Sequence, residues 1–230
     1  MNRLAACIGL ALTAAGYGQE EPAKPVTQPE PTTDLSLWAI EQMSGGSVTV
    51  HGDALEIIDE GGCTVWYRAP LAAPVEITCD VTVVSKGGPT DRVSDVNVFW
   101  MAKDPREPAD EPPFSDKHRR SGKFPEYNSL LTYYVGMGGN NNTTTRFRRY
   151  DGSAERPLLP EHDLKAPLLT ANTTYHLRLV ARDGTAEFWS NGARVFQFKD
   201  PAPLQRGWFA LRTVKSHLLV RNLRIEQRNR

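Results

Sequence analysis

The chain of 230 residues carries 27 basic and 27 acidic side chains, so its formal net charge at pH 7 is zero. This balance excludes the global positive field with which proteins attract nucleic acids or anionic membrane surfaces. We therefore expect no nucleic-acid partner, and protein partners stay open.

The first 18 residues have the three-part pattern of a secretory signal peptide. A start containing Arg3 precedes an apolar run from Leu4 to Ala15, and small residues follow. The run is shorter than the roughly 20 apolar residues that span a membrane, so we expect no membrane insertion. The pattern predicts a secreted or periplasmic protein.

Residues 19–34 are rich in proline and lack a hydrophobic period, which is typical of a disordered linker. Residues 35–230 have the length of one domain with a substantial core. We therefore predict one folded domain, preceded by a signal peptide and a linker.

Alternation of apolar and polar residues predicts β-strands along this domain, in segments such as VEITCDVTVV, SDVNVFWM and LLTYYVGM. Asp-Gly and Asn-Gly turns in ARDGTAEFWSNGARVFQF predict a three-stranded meander. No amphipathic helical stretch of useful length is visible. The predicted fold is an all-β, concanavalin A-like β-sandwich (jelly roll) of two antiparallel sheets, and a closed barrel is the alternative.

Two cysteines beyond the predicted signal peptide, Cys63 and Cys79, flank the segment RAPLAAP. A hairpin centred near Leu71 would place them opposite each other on one apolar face. Export would permit a disulfide between them, and two reduced, buried thiols are an equally weighted alternative.

Alternation also assigns aromatic and polar side chains to the strand faces that point away from the core. These residues are Trp66, Asn97, Tyr134, Arg146, Arg148, Trp208 and Arg212. If their strands share one sheet, the surface suits a sugar polymer, because amides and guanidiniums hydrogen-bond hydroxyls and carboxylates. Solvated arginines that pair with neighbouring carboxylates are the alternative.

The segment YYVGMGGNNNTTTRFRRYDG would form the middle of this surface. Its glycines allow close approach to a ligand, and residues 140–142 suit a tight turn with positive φ. The proline-rich residues 102–127, called the insertion below, carry His118 and Glu126. A loop of this length is usually functional or disordered, and we expect it to close over a substrate.

No familiar catalytic motif is visible, and no spacing singles out a pair of carboxylates for glycoside hydrolysis. A polysaccharide lyase needs a group that neutralises a uronate and a side chain that moves protons. For these roles the predicted catalytic residues are Tyr134, Glu126 and His118. The predicted substrate-binding residues are Trp66, Asn97, Asn140, Arg146, Arg148 and Arg212.

The segments RSGKFPEYN, YYVGMGGNNNTTTRFRRYDG and GWFALRTVKSHLLVRNLRI resemble a secreted bacterial family catalogued as domain of unknown function 6250. Two of them are also distantly similar to YesU-like sandwich proteins, which tend to be associated with pectin and rhamnogalacturonan use. The resemblance implies a concanavalin A-like fold. It also implies that one site includes Arg120, Glu126, Tyr127, Arg148 and Arg212.

We therefore predict a secreted, carbohydrate-active protein that acts on plant or algal polysaccharide containing uronates, of a pectin or rhamnogalacturonan type. An enzyme of the lyase or glycosidase type is favoured, and a lectin-like binding module is the alternative. No cofactor is predicted, but calcium is left open, with Asp91, Asp95 and Asn97 as candidate ligands that lack a recognised spacing.

Overall fold

A computed structural model of the protein describes residues 31–227. The predicted signal peptide and the linker as far as residue 30 lie outside the described residues. The described chain begins with a 3-10 turn, Pro31–Thr33, whose first two residues are buried. The Pro31 carbonyl accepts a hydrogen bond of 2.7 Å from the Trp38 indole, so packing begins before the predicted domain start at Leu35.

The strands form two antiparallel sheets. Sheet A is eight-stranded and has the order β1 (Trp38–Gln42), β4 (Cys63–Tyr67), β14 (Arg206–Thr213), β7 (Val96–Lys103), β8 (Leu131–Gly138), β9 (Thr144–Asp151) and β10 (Asp163–Leu164), with β5 (Leu71–Ala72) paired to β14. Sheet B has the order β13 (Ala193–Lys199), β12 (Thr185–Ser190), β11 (Thr173–Arg182), β6 (Val75–Val84), β15 (His217–Gln227), β3 (Ala54–Asp59) and β2 (Gly46–His51).

Short turns complete the described secondary structure. The remaining 3-10 turns are Leu35–Leu37, Asp116–His118, Phe124–Tyr127 and Pro160–His162. A further turn, Gly139–Asn142, joins β8 to β9, and its three asparagines all have positive φ. The tight turn predicted for residues 140–142 is therefore confirmed.

The main core lies between the two sheets and follows the predicted alternation. In β6, the burial of alternate residues from Val75 to Val83 leaves the intervening side chains partly exposed. Large aromatic side chains fill the space between the sheets, and they include Trp100, Phe147, Phe188 and Phe209. Two stacked antiparallel sheets confirm the β-sandwich and leave no support for a closed barrel.

The predicted meander is confirmed as β11, β12 and β13. Both connecting turns have positive φ at their two central residues, 49° and 72° at Asp183 and Gly184 and 51° and 79° at Asn191 and Gly192. Such values are typical of the two-residue hairpin turns that Asp-Gly and Asn-Gly favour.

The hairpin predicted around Leu71 is wrong, because Cys63 lies in β4 of sheet A and Cys79 in β6 of sheet B. Both thiols are buried and free, so the reduced alternative holds. The two strands present apolar faces to one core from opposite sides. Their alternation is therefore the same as for a hairpin, and it does not distinguish the two arrangements.

Candidate functional site

The cross-strand register of sheet A brings the predicted site residues into two neighbouring rows on its outer face. The polar row consists of Thr64, Arg212, Asn97, Gly136, Arg146 and Asp163. The aromatic row consists of Trp66, Ala210, Phe99, Tyr134 and Arg148. These strands therefore do share one sheet, as the predicted surface required.

The outer face is not open, because the insertion packs on the aromatic row. Tyr127 of the insertion lies 5.8 Å from Phe99 between ring centroids, in a stacked arrangement. Trp66 is completely buried beneath it and donates a hydrogen bond of 2.8 Å from Nε1 to Glu41. In this arrangement Trp66 supports the insertion and has no surface on which a sugar could pack.

Glu41 is the buried carboxylate that fixes the insertion to the sheet. Besides Trp66, it accepts hydrogen bonds from the Tyr127 hydroxyl at 2.9 Å and from the backbone N–H of Arg120 at 2.8 Å. Burial raises the pKa of Glu41, although these three donors oppose the shift. The carboxylate is thus a structural acceptor for three parts of the fold.

A buried ion pair holds the base of the insertion. Arg120 Nη2 lies 2.5 Å from Asp104 Oδ2, and both side chains are almost inaccessible to solvent. Burial would raise the pKa of Asp104, but hydrogen bonds from Arg106 and Arg120 outweigh it and hold that pKa well below its usual range. Arg120 also donates to the backbone carbonyl of Glu126 at 2.8 Å.

The two predicted catalytic residues of the insertion make contacts within it. His118 Nδ1 lies 2.6 Å from Glu107 Oε1. Glu126 accepts hydrogen bonds from the backbone N–H and the hydroxyl of Ser121, at 2.7 and 2.8 Å. These contacts shape the insertion, and a catalytic role for either residue remains a prediction.

Tyr134 has a more informative environment. Its side chain is 5% exposed, and its ring contacts Phe99, Phe124 and Tyr150 at centroid distances of 5.0, 5.5 and 5.6 Å. Burial raises the pKa of Tyr134 far above its usual range. The phenol is therefore protonated at neutral pH, so it can donate a hydrogen bond and is not present as a phenolate base.

Gly136 provides the room for the Tyr134 hydroxyl. A Cβ atom at this position would lie 2.7 Å from that hydroxyl and 3.1 Å from Asn97 Oδ1. Asn97 is 3% exposed, and its Oδ1 has no hydrogen-bond partner among the described residues. This buried amide oxygen is therefore free to accept a hydrogen bond.

The two predicted arginines of β9 differ in their partners. Arg146 forms a bidentate pair with Asp163, at 2.6 Å from Nε and 3.1 Å from Nη2. Arg146 therefore agrees with the alternative to sugar binding, in which an arginine of the outer face pairs with a carboxylate on the neighbouring strand. Arg148 donates through Nη1 to the backbone carbonyl of Arg156 and has no carboxylate partner within residues 31–227. Burial lowers the pKa of Arg148, but the guanidinium stays charged at neutral pH.

Arg212 is buried on the same face, with 1% of its surface exposed. It donates from Nη1 to the Thr64 hydroxyl at 2.8 Å and to the Gly122 carbonyl at 2.9 Å. Its guanidinium carbon lies 4.8 Å from the centroid of the Phe124 ring. No carboxylate of the described chain forms an ion pair with it, and the nearest contacts of the guanidinium are hydrogen-bond acceptors and aromatic rings.

Arg156 completes a group that we call the arginine cluster, defined as Arg148, Arg156 and Arg212. Arg156 and Arg212 lie against the Phe124 ring, and Arg148 donates to the Arg156 carbonyl. The Arg156 guanidinium carbon lies 4.6 Å from the Phe124 centroid, on a half-exposed side chain. Sequence reasoning missed Arg156, because it lies in the irregular segment after β9, where no alternation assigns a direction. Its only sequence signal is its closeness to the arginine-rich strand.

Residues 57–223 match the family described as "Domain of unknown function (DUF6250)". This range is more than half of the chain. The chain belongs to the DUF6250 family. No curated protein matches it.

Solved structures similar to this DUF6250 domain are sandwiches. A protein of unknown function with galectin-like fold from Bacillus subtilis has 17% identity and a TM-score of 0.64, over 89% of this chain and 98% of that one. The carbohydrate binding module CBM66 from Bacillus subtilis has 15% identity and a TM-score of 0.53, over 83% and 96%. The exoplasmic/lumenal domain of VIP36, in a Ca²⁺/Man-bound form, has 12% identity and a TM-score of 0.54, over 84% and 83%. At these identities the likeness shows the fold.

The remaining predicted site residues of the DUF6250 domain have local roles. Asn140 is exposed in the turn between β8 and β9, where its side-chain amide donates to the Thr144 hydroxyl at 3.3 Å. Of the candidate calcium ligands, Asp91 accepts backbone N–H groups of its own loop, and Asp95 pairs with Arg92 at 2.7 Å. Within residues 31–227 no group of three or more His, Cys, Asp or Glu residues could hold a metal ion. In the same range, no helix has the length and apolar character to cross a membrane.

Proposed function

We propose that the DUF6250 domain binds glycans that carry carboxylate groups, at the arginine cluster on the outer face of sheet A. The observation that carries this proposal is that Arg156 and Arg212 lie against the Phe124 ring while Arg148 donates to the Arg156 carbonyl, and none of the three pairs with a carboxylate in the described chain. Arg148 and Arg156 are the partly exposed members that a ligand could contact. A buried or half-buried cation without a counterion is unfavourable. The cluster is therefore suited to an anion from outside.

The neighbouring groups favour a sugar acid over a simple anion. Guanidiniums bind planar carboxylates with two parallel hydrogen bonds. The Tyr134 hydroxyl and the unpartnered Asn97 Oδ1 flank Gly136 beneath the insertion, and they could hydrogen-bond sugar hydroxyls if the insertion moves aside on binding. Two proteins of similar fold bind sugars, since CBM66 is a carbohydrate binding module and the VIP36 domain is in a Ca²⁺/Man-bound form, and this supports the ligand class. We propose uronates of a pectin-like polysaccharide, met outside the cell if residues 1–18 direct export as predicted.

Binding has more support than catalysis. Tyr134 is held protonated by burial, and the Glu126 carboxylate already accepts two hydrogen bonds from Ser121, so neither is prepared to act as a base. Asp95 and Asp163 are paired with arginines, which disfavours their use in glycoside hydrolysis.

Elimination by a lyase mechanism is the second candidate. The observation in its favour is the Tyr134 hydroxyl, which lies over Gly136 in a face with unpaired arginines. In that reaction Arg148 would neutralise the uronate carboxylate, and His118, with its Nδ1 against Glu107, would take the C5 proton through Nε2. The electron pair of that C–H bond would form the C4–C5 double bond as the C4–O bond breaks, and Tyr134 would protonate the departing sugar oxygen.

The test is calorimetric titration with oligomers of galacturonate, glucuronate, mannuronate and guluronate, and with neutral galactose oligomers. We expect one acidic oligomer to bind and Arg148→Gln to weaken it about tenfold or more, because a charge-assisted hydrogen-bond pair is lost. Arg224→Gln, an exposed arginine on sheet B, is the matched control and should change nothing. Equal affinity of the Arg148 variant, or a preference for neutral oligomers, would overturn the proposal.

The same incubations distinguish binding from elimination. Ultraviolet absorbance of unsaturated uronates that develops with the wild type and is lost in Tyr134→Phe would establish the lyase. Retained acidic oligomers without this absorbance would leave a binding module.

A further inference from the structure

A second feature with affinity for anions lies at the edge of sheet A. Between the end of β1 and the insertion there is a cleft of about 750 Å³, here called the edge cleft. Its walls are residues 40–44 on one side and Arg119, Arg120, Ser121 and Lys123 on the other.

The accessible charge at the edge cleft is positive. Arg119 and Lys123 are exposed, and neither forms an ion pair with the described residues. Glu41 also lines the cleft, but its carboxylate is 2% exposed and already accepts three hydrogen bonds. Glu126 is the nearby exposed acid, and its carboxylate is held by Ser121.

Gly122 connects the edge cleft to the arginine cluster, because Ser121 and Lys123 line the cleft and Arg212 donates to the Gly122 carbonyl. Gly122 packs so closely on the sheet that a Cβ atom there would lie 2.4 Å from the Gly62 carbonyl and 2.9 Å from the Met43 nitrogen. The next two residues contribute to different sides, since Lys123 lines the cleft and Phe124 contacts the cluster.

The sheet edge adds neutral hydrogen-bonding groups to this cleft. Strand β1 is the first strand of sheet A, so one row of its backbone groups has no partner strand. The Ile40 carbonyl points to the cleft side, where Arg119 Nη2 approaches it at 3.5 Å. Backbone groups of this kind can bind sugar hydroxyls beside the cationic side chains.

We propose that the edge cleft is a second uronate subsite, so that the domain binds a chain of several acidic sugars across Gly122 and not a single terminal residue. This inference rests on the proposed function of the arginine cluster. Two cationic patches on either side of Gly122 would bind successive carboxylates of a polyuronate chain.

The experiment compares a dimer and a hexamer of galacturonate by calorimetric titration. The same lengths of glucuronate, mannuronate and guluronate complete the panel. The wild type should bind the hexamer about tenfold more tightly than the dimer. The double variant Arg119→Gln/Lys123→Gln should weaken the hexamer about five- to tenfold and change the dimer less than about twofold, since two exposed charge contacts are lost.

The matched control is Lys199→Gln/Arg224→Gln, which removes the same charge from exposed positions of sheet B. Unchanged hexamer affinity in the Arg119/Lys123 variant would overturn the second subsite while leaving the arginine cluster intact. Equal weakening of dimer and hexamer, or of both double variants, would also overturn it, because it would show only a general effect of charge. A wild type that binds no acidic oligomer would overturn this inference together with the proposed function.

Discussion

Two aromatic side chains on opposite faces of the sandwich each contact two arginines, but only one set of arginines is neutralised. On sheet B, Arg178 and Arg194 lie 5.0 and 5.7 Å from the Trp189 ring, and they pair with Glu76 and Glu187 respectively. On sheet A, Arg156 and Arg212 lie 4.6 and 4.8 Å from the Phe124 ring. No carboxylate of the described chain pairs with either.

The difference separates a structural motif from a candidate binding motif. Arginines on an aromatic ring are common on protein surfaces and are usually balanced by acids of the same chain. The group around Trp189 meets that description completely. The arginine cluster has the same cation–ring geometry without the acids, which makes an external carboxylate the simplest counterion.

The largest effect is expected from Asp104→Asn, which would break the ion pair at the base of the insertion that carries Phe124. It leaves Arg120 buried without its anion, and losing one partner of such a pair costs about 3–5 kcal/mol of unfolding free energy. Because the pKa of Asp104 is lowered, its contribution is complete above the unfolded pKa and is lost only as pH falls through the lower folded value.

Urea unfolding at neutral pH measures this change. Asp116→Asn, an exposed acid in the same insertion, is the control and should cost less than about 0.5 kcal/mol. A loss in Asp104→Asn no larger than this control would show that the ion pair does not hold the insertion.

A smaller effect is expected from Gly136→Ala, which tests how tightly Tyr134 packs on the sheet A side of the comparison. The new Cβ would lie 2.7 Å from the Tyr134 hydroxyl, so the ring must shift, at about 1–3 kcal/mol of stability. The control is Gly139→Ala, where the nearest atom is at 3.6 Å. Thermal unfolding and acidic-oligomer affinity should both fall in Gly136→Ala alone, and equal behaviour of the two variants would contradict this packing.

The smallest effect is expected from Glu76→Gln, which would make the Trp189 group resemble the arginine cluster. Arg178 would lose its bidentate acid, and an exposed pair of this kind contributes about 0.5 kcal/mol or less. Unfolding at low salt and at high salt measures the loss, which salt should reduce. A loss above about 2 kcal/mol would mean that the Arg178–Glu76 pair behaves as a buried ion pair, which contradicts its partial exposure in the structure.

The sequence predicted which face of each strand its side chains occupy, because alternation depends only on the pleat. Tyr134 and Trp208 pack on the outer face of sheet A, as predicted, while Tyr133 and Phe147 on the same two neighbouring strands as Tyr134 and Arg148 lie in the main core. Met101 departs from this pattern. Alternation within SDVNVFWM predicts an outward side chain here, but positive φ at an irregularity of β7 turns it into the main core.

What covers each face depends on contacts distant in the chain, and alternation carries no information on these. Arg146 could not be matched to Asp163 before β10 was placed beside β9. Trp66 could not be predicted as buried before the insertion was placed over it. The cysteine hairpin failed for the same reason, since the sheet to which a strand belongs is set by its distant partners.

The two buried thiols have a practical consequence. Cys63 and Cys79 face one interior from opposite sheets, and burial raises the pKa of Cys79 to about 12. Alkylating reagents attack thiolates, so these two thiols stay unreactive while the sheets remain packed together. Their rate of alkylation therefore reports how often the sandwich opens, and the measurement needs no introduced cysteine. Since Cys63 and Cys79 form no disulfide, the domain requires no oxidant to complete its fold.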